Sequence, residues 1–159
     1  MRALATILAL ALLVALPAAA DFNAAREAAL RGDFEQALPE LTMLAEAGSA
    51  EAQALLGDLY SRGDGVEKND ALAAQWYEKA SRLGYSDAQY ALGLLYQTGR
   101  GVRQDKATAY MWMVLAFETG SVRMWWEQAE YIRNSLTAAQ VAAAEAEAKA
   151  IMARYPGRK

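Results

Sequence analysis

The sequence predicts an all-α solenoid of stacked helix–loop–helix repeats, on three observations. Leu56, Gly57, Tyr60, Gly63, Gly65, Val66, Ala71, Ala73, Trp76, Ala80 and Gly84 return 36 positions later as Leu92, Gly93, Tyr96, Gly99, Gly101, Val102, Ala107, Ala109, Trp112, Ala116 and Gly120. A fixed period of about 20–50 residues marks a unit that cannot bury its apolar face alone and must stack on a neighbour. Within each unit, apolar residues recur at helical spacing, Leu56 with Tyr60 and Leu92 with Tyr96. Between the two expected helices stands a glycine pair, Gly63-Asp64-Gly65 or Gly99-Arg100-Gly101, able to take up positive φ and reverse the chain.

Met1 to Ala20 has the form of a cleaved secretory signal: Arg2, an apolar run to Leu16, then Pro17 and the small residues Ala18-Ala19-Ala20. The run is shorter than the roughly 20 residues a helix needs to span hydrocarbon. A mature chain from Asp21 is therefore expected in a periplasm or outside the cell. Loss of Arg2 leaves 15 basic against 19 acidic residues, a net charge of −4. That balance argues against nucleic acid, whose phosphates demand a basic stripe. With no cysteine anywhere, neither a disulfide nor a lipid attached at the cleavage site is available, so cohesion must come from helix packing.

Residues 21–48 read as a degenerate first repeat. Phe22 to Arg31 is an expected helix ended by Gly32. Asp33 is placed to cap the next, with Gln36 completing a capping box. Ala37, Leu38, Leu41, Leu44 and Ala45 form its apolar stripe, and Pro39 should bend it.

Residues 49–84 and 85–120 are the two complete repeats. Their first helices are expected over about Ala50–Arg62 and Asp87–Thr98, and their second helices follow the caps Asn69 and Asp105. Ala73, Trp76, Tyr77 and Ala80, and in the next unit Ala109, Trp112, Met113 and Ala116, are the expected core. Val66 and Val102 close each helix pair from the loop side. Gly57 and Gly93, at about 1 kcal/mol each relative to alanine, are expected to make room for the indoles of Trp76 and Trp112.

Residues 121–159 form a degenerate repeat and a C-terminal capping helix. Val122 to Asn134 carries Trp125, Trp126, Ala129 and Ile132. Adjacent helical residues point about 100° apart, so the two indoles cannot share one core and one belongs at a surface. Thr137 and Gln140 form another capping box before an alanine-rich helix lined by Val141, Ala144, Ala148, Ile151 and Tyr155, with Pro156 to Lys159 as a frayed tail.

The pattern Leu56-Gly57, Tyr60, Gly63-x-Gly65-Val66, Asn69-Asp70-x-x-Ala73, Trp76-Tyr77-x-x-Ala80, Gly84, repeated through Gly120, resembles the Sel-one-like repeat, a relative of the tetratricopeptide repeat. The resemblance implies a right-handed, tetratricopeptide-like superhelix and a protein-interaction role in the cell envelope. It also implies that the first helices line a concave groove. In register, that face carries Glu51, Ala54, Asp58 and Ser61, then Asp87, Tyr90, Leu94 and Gln97, then Arg123, Trp126, Glu130 and Arg133. Aromatic anchors bordered by charge have the composition of binding hot spots. Glu51, Asp58, Asp87, Tyr90, Leu94, Arg123, Trp126 and Arg133 are accordingly the candidate residues for a protein or peptide partner.

Catalysis has little to draw on. Without histidine or cysteine there is no triad, thiolate or ordinary zinc site, and no cofactor is implied. Some relatives of the repeat family are linked to β-lactam binding, but they are cysteine-rich, and no serine here has a lysine three residues on. Asp64, Glu67 and Asp70 lack the ligand spacing of a calcium loop and read as loop and cap groups. The other binding reading is a glycan or peptidoglycan held by Tyr90, Trp125 and Trp126.

Overall fold

The computed structural model describes residues 21–154; residues 1–20, where a secretory signal is expected, and the residues from Tyr155 onward, including the expected tail, lie outside them. Among the described residues there are eight helices and no strand: α1 (Phe22–Arg31), α2 (Phe34–Glu46), α3 (Ala50–Arg62), α4 (Asp70–Arg82), α5 (Ser86–Thr98), α6 (Lys106–Gly120), α7 (Arg123–Arg133) and α8 (Ala138–Met152). Successive helices pack antiparallel in the order α1·α2, α3·α4 and α5·α6, and each second helix meets the first of the next pair, giving an α-solenoid.

The helix starts follow the caps in the sequence. The Asn69 side chain accepts from the Leu72 N–H at 2.9 Å, and Asp105 accepts from Ala107 at 2.9 Å and Thr108 at 3.2 Å. Asp33 accepts from the Gln36 N–H at 3.4 Å, but Gln36 makes no return bond, so only half of that capping box forms. Thr137 and Gln140 form both halves. Pro39 stands on the exposed side of α2, which runs unbroken through it.

Asp33, Asn69 and Asp105 cap successive second helices at the same 36-residue spacing, so α1–α2 is in register with the complete repeats. The stacking contact obeys that register too. A Cβ on Gly65 would run into the Phe34 side chain, and a Cβ on Gly101 into the main chain at Asp70, the residue 36 positions after Phe34. Across this same junction Arg100 donates to both Asp70 carboxylate oxygens, Nε at 3.1 Å and Nη2 at 2.6 Å. Asp70 is committed to this inter-repeat ion pair, and among the described residues no acidic group is arranged to hold a metal. Arg100 holds the Asp70 carboxyl below its ordinary value.

Buried glutamines join one repeat to the next. Gln53 Nε2 donates to the Ala45 carbonyl at 2.9 Å, and 36 residues on Gln89 Nε2 donates to Ser81 at 3.1 Å. Each adds a second bond to a carbonyl in the last turn of the preceding helix, which also accepts from the Gly48 or Gly84 N–H. At the third such position stands Trp125.

The close approach at the mid-helix glycines differs from the expectation. A Cβ on Gly57 would lie 2.6 Å from the Tyr77 ring, and one on Gly93 would lie 2.8 Å from Met113 Cγ and 3.2 Å from the Ala109 carbonyl oxygen. The glycines therefore admit Tyr77 and Met113, and Trp76 and Trp112 point one helical step away.

α6 is the hub of the C-terminal half, packed by α5, α7 and α8. Tyr110, Met111, Trp112, Met113 and Leu115 are all buried along it, so it has no polar face. α8 lies on α6 rather than pairing with α7, and the buried Tyr110 hydroxyl donates to Glu145 Oε1 at 2.9 Å.

Candidate functional site

The three first helices α1, α3 and α5 present a shared face, and a cavity of about 130 Å³ opens on it. Phe22 and Arg26 come from α1, Glu51, Ala54, Leu55 and Asp58 from α3, and Tyr85, Asp87 and Ala88 from the start of α5; Tyr77 of α4 also lines it. Three of the candidate residues, Glu51, Asp58 and Asp87, are thus brought to one pocket. Phe22 and Arg26 were outside the expected strip because α1 was read as degenerate. Matching its C-capping Gly32 to Gly63 would have set α1 beside α3 as another first helix, since both glycines end their helices in the left-handed conformation.

Asp58 is oriented from two sides. The Tyr77 hydroxyl donates to Oδ1 at 2.6 Å, and Arg62, one turn along α3, lies 3.4 Å from Oδ2. Burial first, then the Asp58 charge and hydrogen bond, hold the Tyr77 phenol well above its ordinary range. Burial likewise raises the Tyr85 phenol, with Asp87, Glu51 and Asp58 adding to the rise and Arg26 opposing it. The three carboxylates and this ring line the same pocket.

Buried phenols have a consequence for stability. Tyr110 is pushed up to about 12, by burial foremost and by its bond to Glu145. A phenol that stays protonated in the folded chain contributes stability that is complete below about pH 10, where the unfolded phenol is protonated too. It is lost as pH rises toward the native value, because the unfolded chain releases a proton that the folded chain keeps. Tyr77 and Tyr110 should each add a slope of up to about 1.4 kcal/mol per pH unit. Urea melts from neutral pH to pH about 11 check this: Tyr77→Phe and Tyr110→Phe should each flatten the alkaline fall, and an unchanged slope in both would contradict the assignment.

The other candidates fall in two groups. Tyr90 stacks on Trp125, ring centroids 5.3 Å apart and 19° between planes, and Trp125 is buried against Gly120. Leu94 is half-buried against the core. Trp126 is 38% exposed and leans on Phe117 at 5.3 Å. The indole expected at a surface is thus Trp126. The platform of Tyr90, Trp125 and Trp126 for a sugar does not form, because Trp125 and one face of Tyr90 are spent on each other. Arg123 pairs with Glu127 at 3.1 Å and Arg133 with Glu130 at 3.5 Å on α7 itself. The candidate residues therefore fall in separate places: Glu51, Asp58 and Asp87 at the acidic pocket, Tyr90 and Leu94 packed along α5, and on α7 an exposed indole with ion-paired arginines.

A family model for the Sel1 repeat matches residues 50–85 and 86–121. The chain carries two Sel1 repeats. Each matched span begins one residue after the boundary expected from the sequence period. Among solved structures, the chain is similar to c5321, a protective antigen present in uropathogenic Escherichia coli strains that displays an SLR fold. The identity is 28% and the TM-score 0.78, over 85% of this chain and 30% of that one. It is also similar to a Sel1 repeat protein from Oxalobacter formigenes, at 33% identity and a TM-score of 0.66, over 70% of this chain and 46% of that one. The chain spans less than half the length of either. No curated protein matches it. Sel1 repeat proteins generally mediate protein–protein interaction, and the fold is typically a non-catalytic scaffold. Among the described residues no helix is long and apolar enough to cross a membrane.

Proposed function

We propose that the Sel1 repeats hold an extended segment of a partner protein along the face made by α1, α3, α5 and α7, as an exported adaptor or regulator in the cell envelope. One observation carries the reading: residues that the repeat packing does not consume are gathered on this face. Glu51 and Asp87 are exposed there, on successive first helices, and Trp126 is exposed on α7, while Gln75 and Lys79 are exposed on α4. Exposed aromatics beside charge concentrate binding energy, and loss of one such anchor typically costs about 2 kcal/mol or more, some thirtyfold in Kd. The export half of the proposal rests on the form of Met1–Ala20.

The test is capture from cell-envelope extract by the chain beginning at Asp21, beside two variants of unchanged melting temperature. Asp87→Ala/Trp126→Ala should lose the partner, and Gln75→Ala/Lys79→Ala, on α4, should keep it. Equal capture by all three would put docking elsewhere on the solenoid and defeat the proposal.

A further inference from the structure

We infer that the pocket between α1, α3 and α5 takes the cationic side chain of a lysine or arginine in the partner segment, an inference that rests on this face being the docking surface. The size is right for one side chain: about 130 Å³ is room for roughly four waters, well under the ~300 Å³ of a small-molecule site.

The charge is complementary to a cation. Facing the space are the carboxylates of Glu51 and Asp58 on α3 and Asp87 on α5, against the single guanidinium of Arg26 on α1. Arg62 engages Asp58 at 3.4 Å, and the Tyr77 hydroxyl of α4 holds that carboxylate at 2.6 Å. Glu51 Oε2 accepts from the Ser49 hydroxyl at 3.1 Å. Asp58 is thereby the oriented member of the set, and Glu51 and Asp87, both exposed, are the flanking charges. The same three carboxylates add to the rise that burial gives the Tyr85 phenol at the pocket edge.

The walls suit the stem of such a side chain as well as its head. Ala54, Leu55 and Ala88 offer methyl surface for methylenes, and the rings of Phe22 and Tyr85 can receive a cation over a face. An acidic side chain would meet like charge here, and an aliphatic one would cover carboxylates without pairing them. Arg26 is an internal competitor: it neutralises part of the charge that an incoming cation would use.

The test uses blocked pentapeptides with a central lysine, arginine, norleucine or glutamate among alanines, titrated into the isotope-labelled chain while backbone amides are followed by NMR. Lysine and arginine peptides should shift the amides of Glu51, Ala54, Asp58, Asp87 and Ala88, less so in high salt. Norleucine, which keeps the stem and drops the charge, should bind at least about tenfold more weakly. Glu51→Gln/Asp87→Asn should weaken the lysine peptide about tenfold or more, and Arg26→Gln should tighten it severalfold. Norleucine binding as tightly as lysine, or lysine moving none of these amides, would overturn the inference. So would affinities indifferent to both variants. Shifts by the norleucine peptide confined to Leu94, Gln97 and Trp126 would reject the cation pocket while leaving the docking face standing.

Discussion

Trp112→Ala is expected to lower the free energy of unfolding by about 3–5 kcal/mol, the range for deleting a large aromatic from a core that cannot collapse around the gap. Trp112 is 5% exposed and belongs to the cluster that joins both Sel1 repeats to α7 and α8. Its repeat mate Trp76 is half-buried, with the Lys79 ammonium 3.9 Å above its ring. Trp76→Ala should therefore cost less, since part of that ring is already in water and the lysine can resettle. Chemical denaturation of both variants checks the pair. Equal losses would mean that the two repeats bury their second helices to the same depth, contrary to the packing of α8 on α6.

That asymmetry was legible in the sequence, though not from either repeat alone. At the positions where α4 has Gln75 and Lys79, α6 has Met111 and Leu115, and these two are buried. Polar residues turning apolar at fixed register announce a new neighbour on that side, which is α8. The 36-residue identities likewise carry the caps, the glycine loops and the pairing order, because each is set by short-range geometry. What identities could not carry is rotation. In α5 the buried positions include Ala88, Leu92 and Leu95, yet their mates Met124 and Tyr131 in α7 are 59% and 71% exposed, and Trp125, Ala129 and Ile132 face inward. Seating the Trp125 indole over Gly120 rolls α7 by about one residue, or ~100°. Composition alone does not specify such a rotation. The same one-step ambiguity explains why the mid-helix glycines were matched to Trp76 and Trp112 rather than to Tyr77 and Met113. At the candidate face, the charged members were readable because register places Asp58 and Asp87 on neighbouring first helices. The pocket was not, because its far wall belongs to α1, whose repeat signature has decayed.

Gly101→Ala should be nearly as damaging as the loss of Trp112, at about 3–4 kcal/mol from a single methyl. Two costs combine. Gly101 has φ +69°, a conformation that charges an L side chain roughly 1–2 kcal/mol. The new Cβ would also fall on the Asp70 carbonyl and the Ala71 nitrogen, and overpacking adds about 1–3 kcal/mol. Those obstacles are main chain at the first turn of α4, so relief requires the second repeat to move off the first, opening the Arg100–Asp70 pair as it goes. Gly65→Ala is the control built into the fold. It has the same backbone strain, at φ +71°, and the same place in its repeat, but its obstacles are the ring and Cβ of half-exposed Phe34: the ring can turn aside and only the Cβ has to shift with its backbone, where Gly101 faces a carbonyl and an amide nitrogen. Gly101→Ala should therefore be the more destabilising by about 1–2 kcal/mol. Because stacking between neighbours holds a solenoid together, it should also separate the melting of α1–α4 from that of α5–α8, a split observable by hydrogen exchange. Equal destabilisation by the two alanines, with a single transition in both, would show that the loop glycines serve only the turn and that the repeats are not seated through them.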